Sequence, residues 1–194
     1  LPVTDIYDYH AHTKQIPSTT ATNIHEYQQF FKKIKEDFPD CTIIHIGYTS
    51  KASSSFQNAV IAAEEFDHVI LIDALNVTGG LAAIVMFAAN TLDKNPTIEP
   101  EHLSKLIQDK VPKSRLAFVP GNLDFLRAGG RVSNAAYIGA ALLKIKPRID
   151  LLEGKLVSTK KYRGNMTAVT KKLMNDYLTQ YNIDREQLYL IYSL

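Results

Sequence analysis

The first half of the chain switches between the hydrophobic period of a helix and that of a strand. Apolar residues recur every three or four positions over 24–38, which predicts an amphipathic helix capped by Asn23. Short runs rich in β-branched residues over 43–46 and 68–73 predict buried strands. Further helices are predicted over 59–66, 81–90 and 101–111. Strands that alternate with helices predict a parallel sheet with helices on both faces.

One predicted helix, over 81–90, is apolar nearly all round, which indicates burial on several sides. The residues before the first clear helix are less regular. They carry aromatic positions and then a polar run over 17–22 that is typical of a loop. His10 and His12 alternate as strand-borne metal ligands would, but no further ligand lies near them in sequence, so we expect no metal site.

The second half shows an antiparallel pattern. Runs over 144–152 and 155–162 are separated only by Glu153 and Gly154, which predicts a β-hairpin with a two-residue turn. The other elements predicted here are a strand over 116–119, a helix over 123–126, a helix over 134–143 capped by Ser133, a helix over 166–181, and a last strand over 188–194.

This change of pattern predicts two domains. Residues 1–113 form a parallel α/β/α domain that bears the Ser/Thr loops, and residues 114–194 form a smaller mixed-sheet α/β domain. The chain begins with Leu1 and ends in a predicted strand, so we expect a shortened or fragmentary protein.

Composition narrows the classes of partner. Lys and Arg number 22 against 20 for Asp and Glu, so no overall charge recruits nucleic acid. The longest apolar run, 81–89, is about half of what a bilayer requires, so we expect no stable membrane insertion. A single cysteine, Cys41, excludes an intrachain disulfide and fits a reducing, cytoplasmic location, and we expect it to be buried.

The candidate chemistry lies between the first strand and its helix. The hydroxyl residues there are Thr49, Ser50, Ser53, Ser54 and Ser55. Hydroxyls and unpaired N–H groups at a helix N-terminus, at the carboxyl edge of a parallel sheet, favour binding of a carboxylate or phosphate. The alternative is a Ser-rich helix cap that binds nothing, in which one of residues 53–55 is the N-cap. The 17–22 run is likewise either a ligand-facing loop or a solvated linker.

Five motifs in order resemble the DegV family of bacterial fatty-acid-binding proteins. They are Ser-Thr-Thr-Ala-Thr at 18–22, Thr-Ser-Lys-Ala-Ser-Ser-Ser-Phe-Gln at 49–57, Ile-Asp-Ala at 72–74, Leu-Arg-Ala-Gly-Gly-Arg-Val-Ser at 126–133 and Ile-Lys-Pro at 145–147. The sequence departs from the family pattern in three places: Ser54-Ser55 replaces Gly-Thr, Ala21-Thr22 replaces Gln-Pro, and Ala74 replaces Ser.

The resemblance implies an EDD fold that holds one long-chain fatty acid, such as palmitate, between two domains. It implies that Ser53 and Thr19, with the neighbouring Ser54, bind the carboxylate, and that no other cofactor is needed. Arg163 is implied near the head group, and Arg131 near the surface that meets a fatty-acid kinase subunit, to which some members present the acid.

The apolar tail of the fatty acid is expected to supply most of the binding affinity. Its charged carboxylate is expected to need hydrogen-bond donors that offset the cost of removing it from water. Each buried methylene contributes about 0.8 kcal/mol, and we expect a tunnel lined around Phe56, Ile84 and Phe87. An ionised carboxylate buried without partners costs several kcal/mol, which hydroxyls and helix N-terminal amides would offset. This interpretation describes a binding protein and not an enzyme.

Three other functions compete with lipid binding. A hydrolase would use Ser53 as nucleophile, but the sequence has no Gly-x-Ser-x-Gly elbow. A dihydroxyacetone-kinase-like subunit would, by family resemblance, capture its ketone with a histidine, and the Ser/Thr loops contain none. A non-catalytic interaction protein with a degenerate pocket would explain the altered loops.

Overall fold

The computed structural model describes residues 3–130 and 145–192, which form a parallel and an antiparallel sheet with surrounding helices. The helices are α1 (Val3–Thr13), α2 (Ile24–Asp37), α3 (Ser55–Ala63), α4 (Thr78–Lys94), α5 (Pro100–Lys110), α6 (Asp124–Ala128) and α7 (Met166–Gln180). The strands are β1 (Ile43–Gly47), β2 (Val69–Asp73), β3 (Ala117–Phe118), β4 (Ile145–Leu152) and β5 (Lys155–Arg163). Short 3-10 turns follow α5 at Val111–Lys113 and α7 at Arg185–Gln187.

The parallel sheet pairs β1 with β2 in register from Ile43 opposite Val69 to Gly47 opposite Asp73. Successive side chains point to opposite faces, so each face carries its own core. Helices α2 and α3 cover one face, where the buried residues are Phe31, Ile43, Ala59 and Ala62. Helices α4 and α5 cover the other, where the buried residues are Ile72, Ala74, Ile84, Leu103, Ile107 and Val111. The predicted α/β/α layering is confirmed.

Helix α2 is fixed by a capping box at its start and by one apolar stripe. The Asn23 side chain accepts the Glu26 N–H at 2.9 Å, and the Glu26 carboxylate accepts the Asn23 N–H at 2.8 Å, which completes a capping box. Phe31 lies on the apolar stripe of this helix and is fully buried. Local capping and burial of one stripe therefore fix the same helix.

The antiparallel sheet has the order β3-β4-β5. Glu153 and Gly154 connect β4 to β5, and their φ angles of 49° and 80° are both positive, as a type I′ turn requires. A bulge at Arg148/Ile149 shifts the register of the hairpin. The predicted hairpin is confirmed, and the proposed boundary between residues 113 and 114 stays a prediction.

Several expectations are wrong. Residues 3–13 form a helix, so His10 and His12 lie on α1 and not on a strand. Residues 188–192 adopt no strand, because strand composition does not make a strand without pairing and these residues pair with neither sheet of the described part of the chain. Cys41 is only half-buried.

Helix α4 is buried on one side and not on several. Ile84 is fully buried, whereas Val85 and Met86 are 44% and 45% exposed. Composition alone therefore overstated its burial. Across residues 3–130 and 145–192, no helix combines the length and the apolar content needed to cross a bilayer. Ser133 and the helix predicted over 134–143 lie outside the described residues.

Candidate carboxylate-binding loop

The loop over 49–54 leaves the carboxyl end of β1 and enters α3, beside the carboxyl end of β2. The Asp73 carboxylate ends β2 and accepts the backbone N–H of Ser50 at 3.2 Å and that of Leu75 at 2.9 Å. This carboxylate fastens the loop to the neighbouring strand. Asp73 holds the loop in a way that its motif did not predict, although an acid at the end of a buried strand is a signal for such a role.

Thr49 is the buried anchor of the loop. Its side chain is fully buried, its N–H donates to the Asn76 carbonyl at 3.1 Å, and its hydroxyl donates to the Gly154 carbonyl at 3.0 Å. The same hydroxyl oxygen accepts the Lys51 N–H at 3.2 Å. The first residue of the loop is thus tied both to the turn after β2 and to the hairpin turn.

Ser53 organises the end of the loop. Its hydroxyl oxygen accepts the Ser55 N–H at 3.1 Å, and its hydroxyl donates to Ser55 Oγ at 3.0 Å. Ser54 occupies the N-cap position of α3 and is exposed, and its side chain makes no capping hydrogen bond to the described residues. Because a hydroxyl rotates freely, Ser53 can turn its proton from Ser55 to an incoming carboxylate.

The two Ser/Thr runs meet at this loop. The Thr22 N–H donates to Ser55 Oγ at 3.2 Å, and the Asn58 side-chain amide donates to the Thr22 carbonyl at 2.7 Å. Thr19 lies in the same run, three residues before Thr22, and is exposed. The structure therefore brings the end of the 17–22 run, at Thr22, to the N-terminus of α3.

Arg163 is not brought to this loop. Arg163 is the last residue of β5, and the hairpin turn that contacts Thr49 lies at the other end of the same strand. At about 3.3 Å per residue, Arg163 lies roughly 26 Å along the strand from that turn. The expected contact of Arg163 with the head group is not supported by this placement. Arg131 lies outside the described residues.

The three residues expected to line the fatty-acid tunnel lie on opposite faces of the parallel sheet. Phe56 lies against Gly47, where an added Cβ would stand 2.5 Å from the ring, on the face covered by α2 and α3. Ile84 is fully buried in the core on the opposite face, and Phe87 packs against that core. The parallel sheet therefore separates Phe56 from the other two residues.

His45 is an apolar-packed residue and not a base. Its ring makes edge contacts with Tyr27 and Phe31 at centroid distances of 5.4 and 5.9 Å. Its buried Nε2 finds no hydrogen-bond partner among the described residues. Burial lowers the pKa of the imidazole, so the neutral form is favoured. This environment is that of a packed core residue.

The histidines of α1 are engaged locally. His10 Nδ1 lies 3.1 Å from the Gln15 carbonyl with its ring against Phe125, and His12 Nδ1 lies 2.7 Å from the Asp8 carbonyl. Within residues 3–130 and 145–192, no group of three or more His, Cys, Asp or Glu side chains is arranged to hold a metal ion.

Comparison with known proteins gives one consistent family. The model of a family described as "Uncharacterised protein, DegV family" matches residues 1–193. A DegV domain-containing protein of Clostridium acetobutylicum is 30% identical over 178 residues, covering 90% of this chain and 61% of that protein. A fatty acid-binding protein of Thermotoga maritima is 30% identical over 156 residues, covering 79% of this chain and 54% of that protein.

Solved structures agree on the fold. A stearic acid-binding protein of Eubacterium ventriosum superposes with a TM-score of 0.78 at 21% identity, over 94% of this chain and 64% of that one. The chain spans between 54% and 61% of the length of the first curated relatives that it matches.

Proposed function

Because this chain belongs to the DegV family, we propose that it binds a long-chain fatty acid whose carboxylate sits at the loop over 49–54 and the N-terminus of α3. The observation that carries the proposal is the Thr22–Ser55 contact, which joins two hydroxyl-rich runs at a helix N-terminus beside the ends of two parallel strands. Relatives of this chain are described as binding fatty acids, which supports the ligand class.

In this proposal the carboxylate is compensated by neutral donors. Ser53 and Thr19 supply hydroxyls, Ser54 lies at the N-cap, and the first amides of α3 add the positive end of the helix dipole. Since unpaired burial of an ionised carboxylate costs several kcal/mol, these donors decide whether the head group is accepted. The tail contributes about 0.8 kcal/mol per methylene, so affinity comes mainly from chain length.

The proposal describes a cytoplasmic binding protein that performs no chemistry on its ligand. Neutral donors leave the carboxylate oxygens nucleophilic, which suits presentation of the acid to a fatty-acid kinase subunit. Phosphorylation there would form a bond between a carboxylate oxygen and the γ-phosphorus of ATP and release ADP. If this is right, Ser53→Ala protein should support acyl-phosphate formation far more slowly than wild type at equal loading with acid.

Native mass spectrometry of the protein purified from a bacterial host tests binding directly. We expect a one-to-one adduct of fatty-acid mass, which lipid extraction identifies and which Ser53→Ala reduces strongly. Ser104→Ala is the matched control, because the Ser104 hydroxyl donates to the Glu101 carbonyl within α5, on the other side of the parallel sheet. A protein that stays free of adduct after palmitate is added would support an interaction protein with a degenerate pocket instead.

A further inference from the structure

The hairpin turn of the antiparallel sheet lies directly on the first residue of the candidate loop. The buried Thr49 hydroxyl donates to the Gly154 carbonyl at 3.0 Å, across 105 residues of sequence. It also accepts the Lys51 N–H at 3.2 Å. One hydroxyl group therefore joins the hairpin to the backbone of the loop that leads to Ser53.

The fit between the turn and the loop is close. A Cβ added at Gly154 would stand 2.4 Å from Thr49 Oγ1, 2.9 Å from Lys51 Cγ and 3.2 Å from Leu75 Cδ2. Gly154 is buried and has a φ of +80°. Glycine is thus required here twice, by the turn conformation and by the approach of the Thr49 side chain.

We propose that Thr49 is a positioning residue for carboxylate recognition, which it performs by holding the loop under the hairpin turn. This inference rests on the proposed function and goes beyond it, because it assigns selectivity for the head group to a residue that does not touch the ligand. Ser53 lies four residues after Thr49, with Lys51 between them. Loss of the Thr49 hydroxyl leaves both the Gly154 carbonyl and the Lys51 N–H without this partner.

The physical reason is the geometry that a buried carboxylate demands. Hydroxyl and amide donors must be held within about 0.5 Å of their productive positions to bind it well. The loop has three fixed points before Ser53, namely the Asp73 carboxylate on Ser50, the Asn76 carbonyl on the Thr49 N–H and the Gly154 carbonyl on the Thr49 hydroxyl. Releasing the last of these points lets the Ser53 hydroxyl move, while contacts to an apolar tail stay as they were.

The test measures selectivity and not affinity alone. Palmitate and hexadecanol share a tail and differ in the head group, and each is titrated by displacement of a fluorescent fatty acid. We expect Thr49→Val to lower the ratio of palmitate to hexadecanol affinity about tenfold, as the loss of one or two hydrogen bonds predicts. Thr49→Ser keeps the hydroxyl and should restore the ratio to within about twofold of wild type.

A merely structural role would lower the thermal midpoint of Thr49→Val and leave this ratio unchanged, and that result would overturn the proposal. Gly154→Ala keeps the hydroxyl but crowds it, so it should lower the ratio even if Thr49→Val fails to fold. Gly121→Ala is its control, since a Cβ there meets nothing within 4 Å. If the wild-type protein binds neither palmitate nor hexadecanol, the proposed function itself is refuted. If Thr49→Val and Gly154→Ala both keep the wild-type ratio of palmitate to hexadecanol affinity, only the positioning role is refuted.

Discussion

The buried ion pair between Arg148 and Asp150 gives a prediction whose size follows from the structure. Both side chains are only 3% exposed, and Arg148 Nη2 lies 2.7 Å from Asp150 Oδ1. The guanidinium also donates to Gln180 Oε1 at 3.2 Å and lies over the Tyr177 ring at 4.8 Å. The second carboxylate oxygen accepts the Thr159 hydroxyl. Through Gln180 and Tyr177, this buried pair joins the β-hairpin to α7.

Removing either charge alone leaves the other buried without its partner. Unit charges about 4 Å apart attract by roughly 4 kcal/mol at an effective dielectric constant of about 20. Breaking a buried pair from one side costs about 3–5 kcal/mol, whereas replacing both residues by apolar ones costs much less. We therefore expect Asp150→Asn and Arg148→Met each to lower the free energy of unfolding by about 3–5 kcal/mol, and the double variant Arg148→Met/Asp150→Leu to lose less than either.

Urea unfolding followed by far-ultraviolet circular dichroism measures these losses, and equal m-values across the variants make them comparable. Lys33→Ala is the control, because the Lys33–Asp37 pair spans 3.5 Å with side chains 75% and 53% exposed. Such a pair contributes at most about 1 kcal/mol. Single losses at Arg148 and Asp150 as small as the Lys33→Ala loss would refute the argument from burial.

Three further predictions concern packing and pH. Gly80→Ala places a Cβ 1.8 Å from the buried Asn76 Oδ1, so a loss of about 2 kcal/mol or more is expected in the same urea assay. Burial lowers the pKa of His45, so the unfolded imidazole binds its proton first as pH falls below 6.5; stability should decline there, and His45→Phe should flatten that decline. Burial, with the hydrogen bond to Asp176, raises the pKa of Tyr162 to about 12, and burial also raises that of Tyr177 to about 12. As pH rises, these phenols ionise first in the unfolded chain, so the free energy of unfolding should fall between pH 10 and 12. In ultraviolet titration, Tyr162→Phe and Tyr177→Phe should each lack one of the phenols that ionise late in the wild type.

Local patterns predicted most of the fold. The apolar stripe and capping box of α2, and the two-residue turn between β4 and β5, each specify a structure over a few neighbouring residues. The wrong predictions have a common cause: the structure of those segments depends on tertiary neighbours that lie far away in sequence. Residues 188–192 have strand composition but pair with neither described sheet, and α4 is apolar on sides that the fold leaves exposed.

The candidate site divides in the same way. The position of Ser53 between β1 and α3 followed from the order of strand, polar loop and helix. The contacts that hold it did not, because Asp73 lies on another strand and Gly154 lies 105 residues from Thr49. Arg163 was assigned by family resemblance alone, and it lies at the end of β5 away from the hairpin turn that contacts the loop.

The Thr49–Gly154 hydrogen bond also has a consequence for how the protein is made. A contact across 105 residues closes a long loop, and such contacts form after local ones because chain entropy opposes them. During synthesis, β1, α3 and β2 can assemble well before the ribosome reaches the hairpin. The candidate loop is therefore expected to be among the last parts of the molecule to take its final shape, so in refolding experiments uptake of the proposed fatty-acid ligand should lag behind the recovery of helical signal.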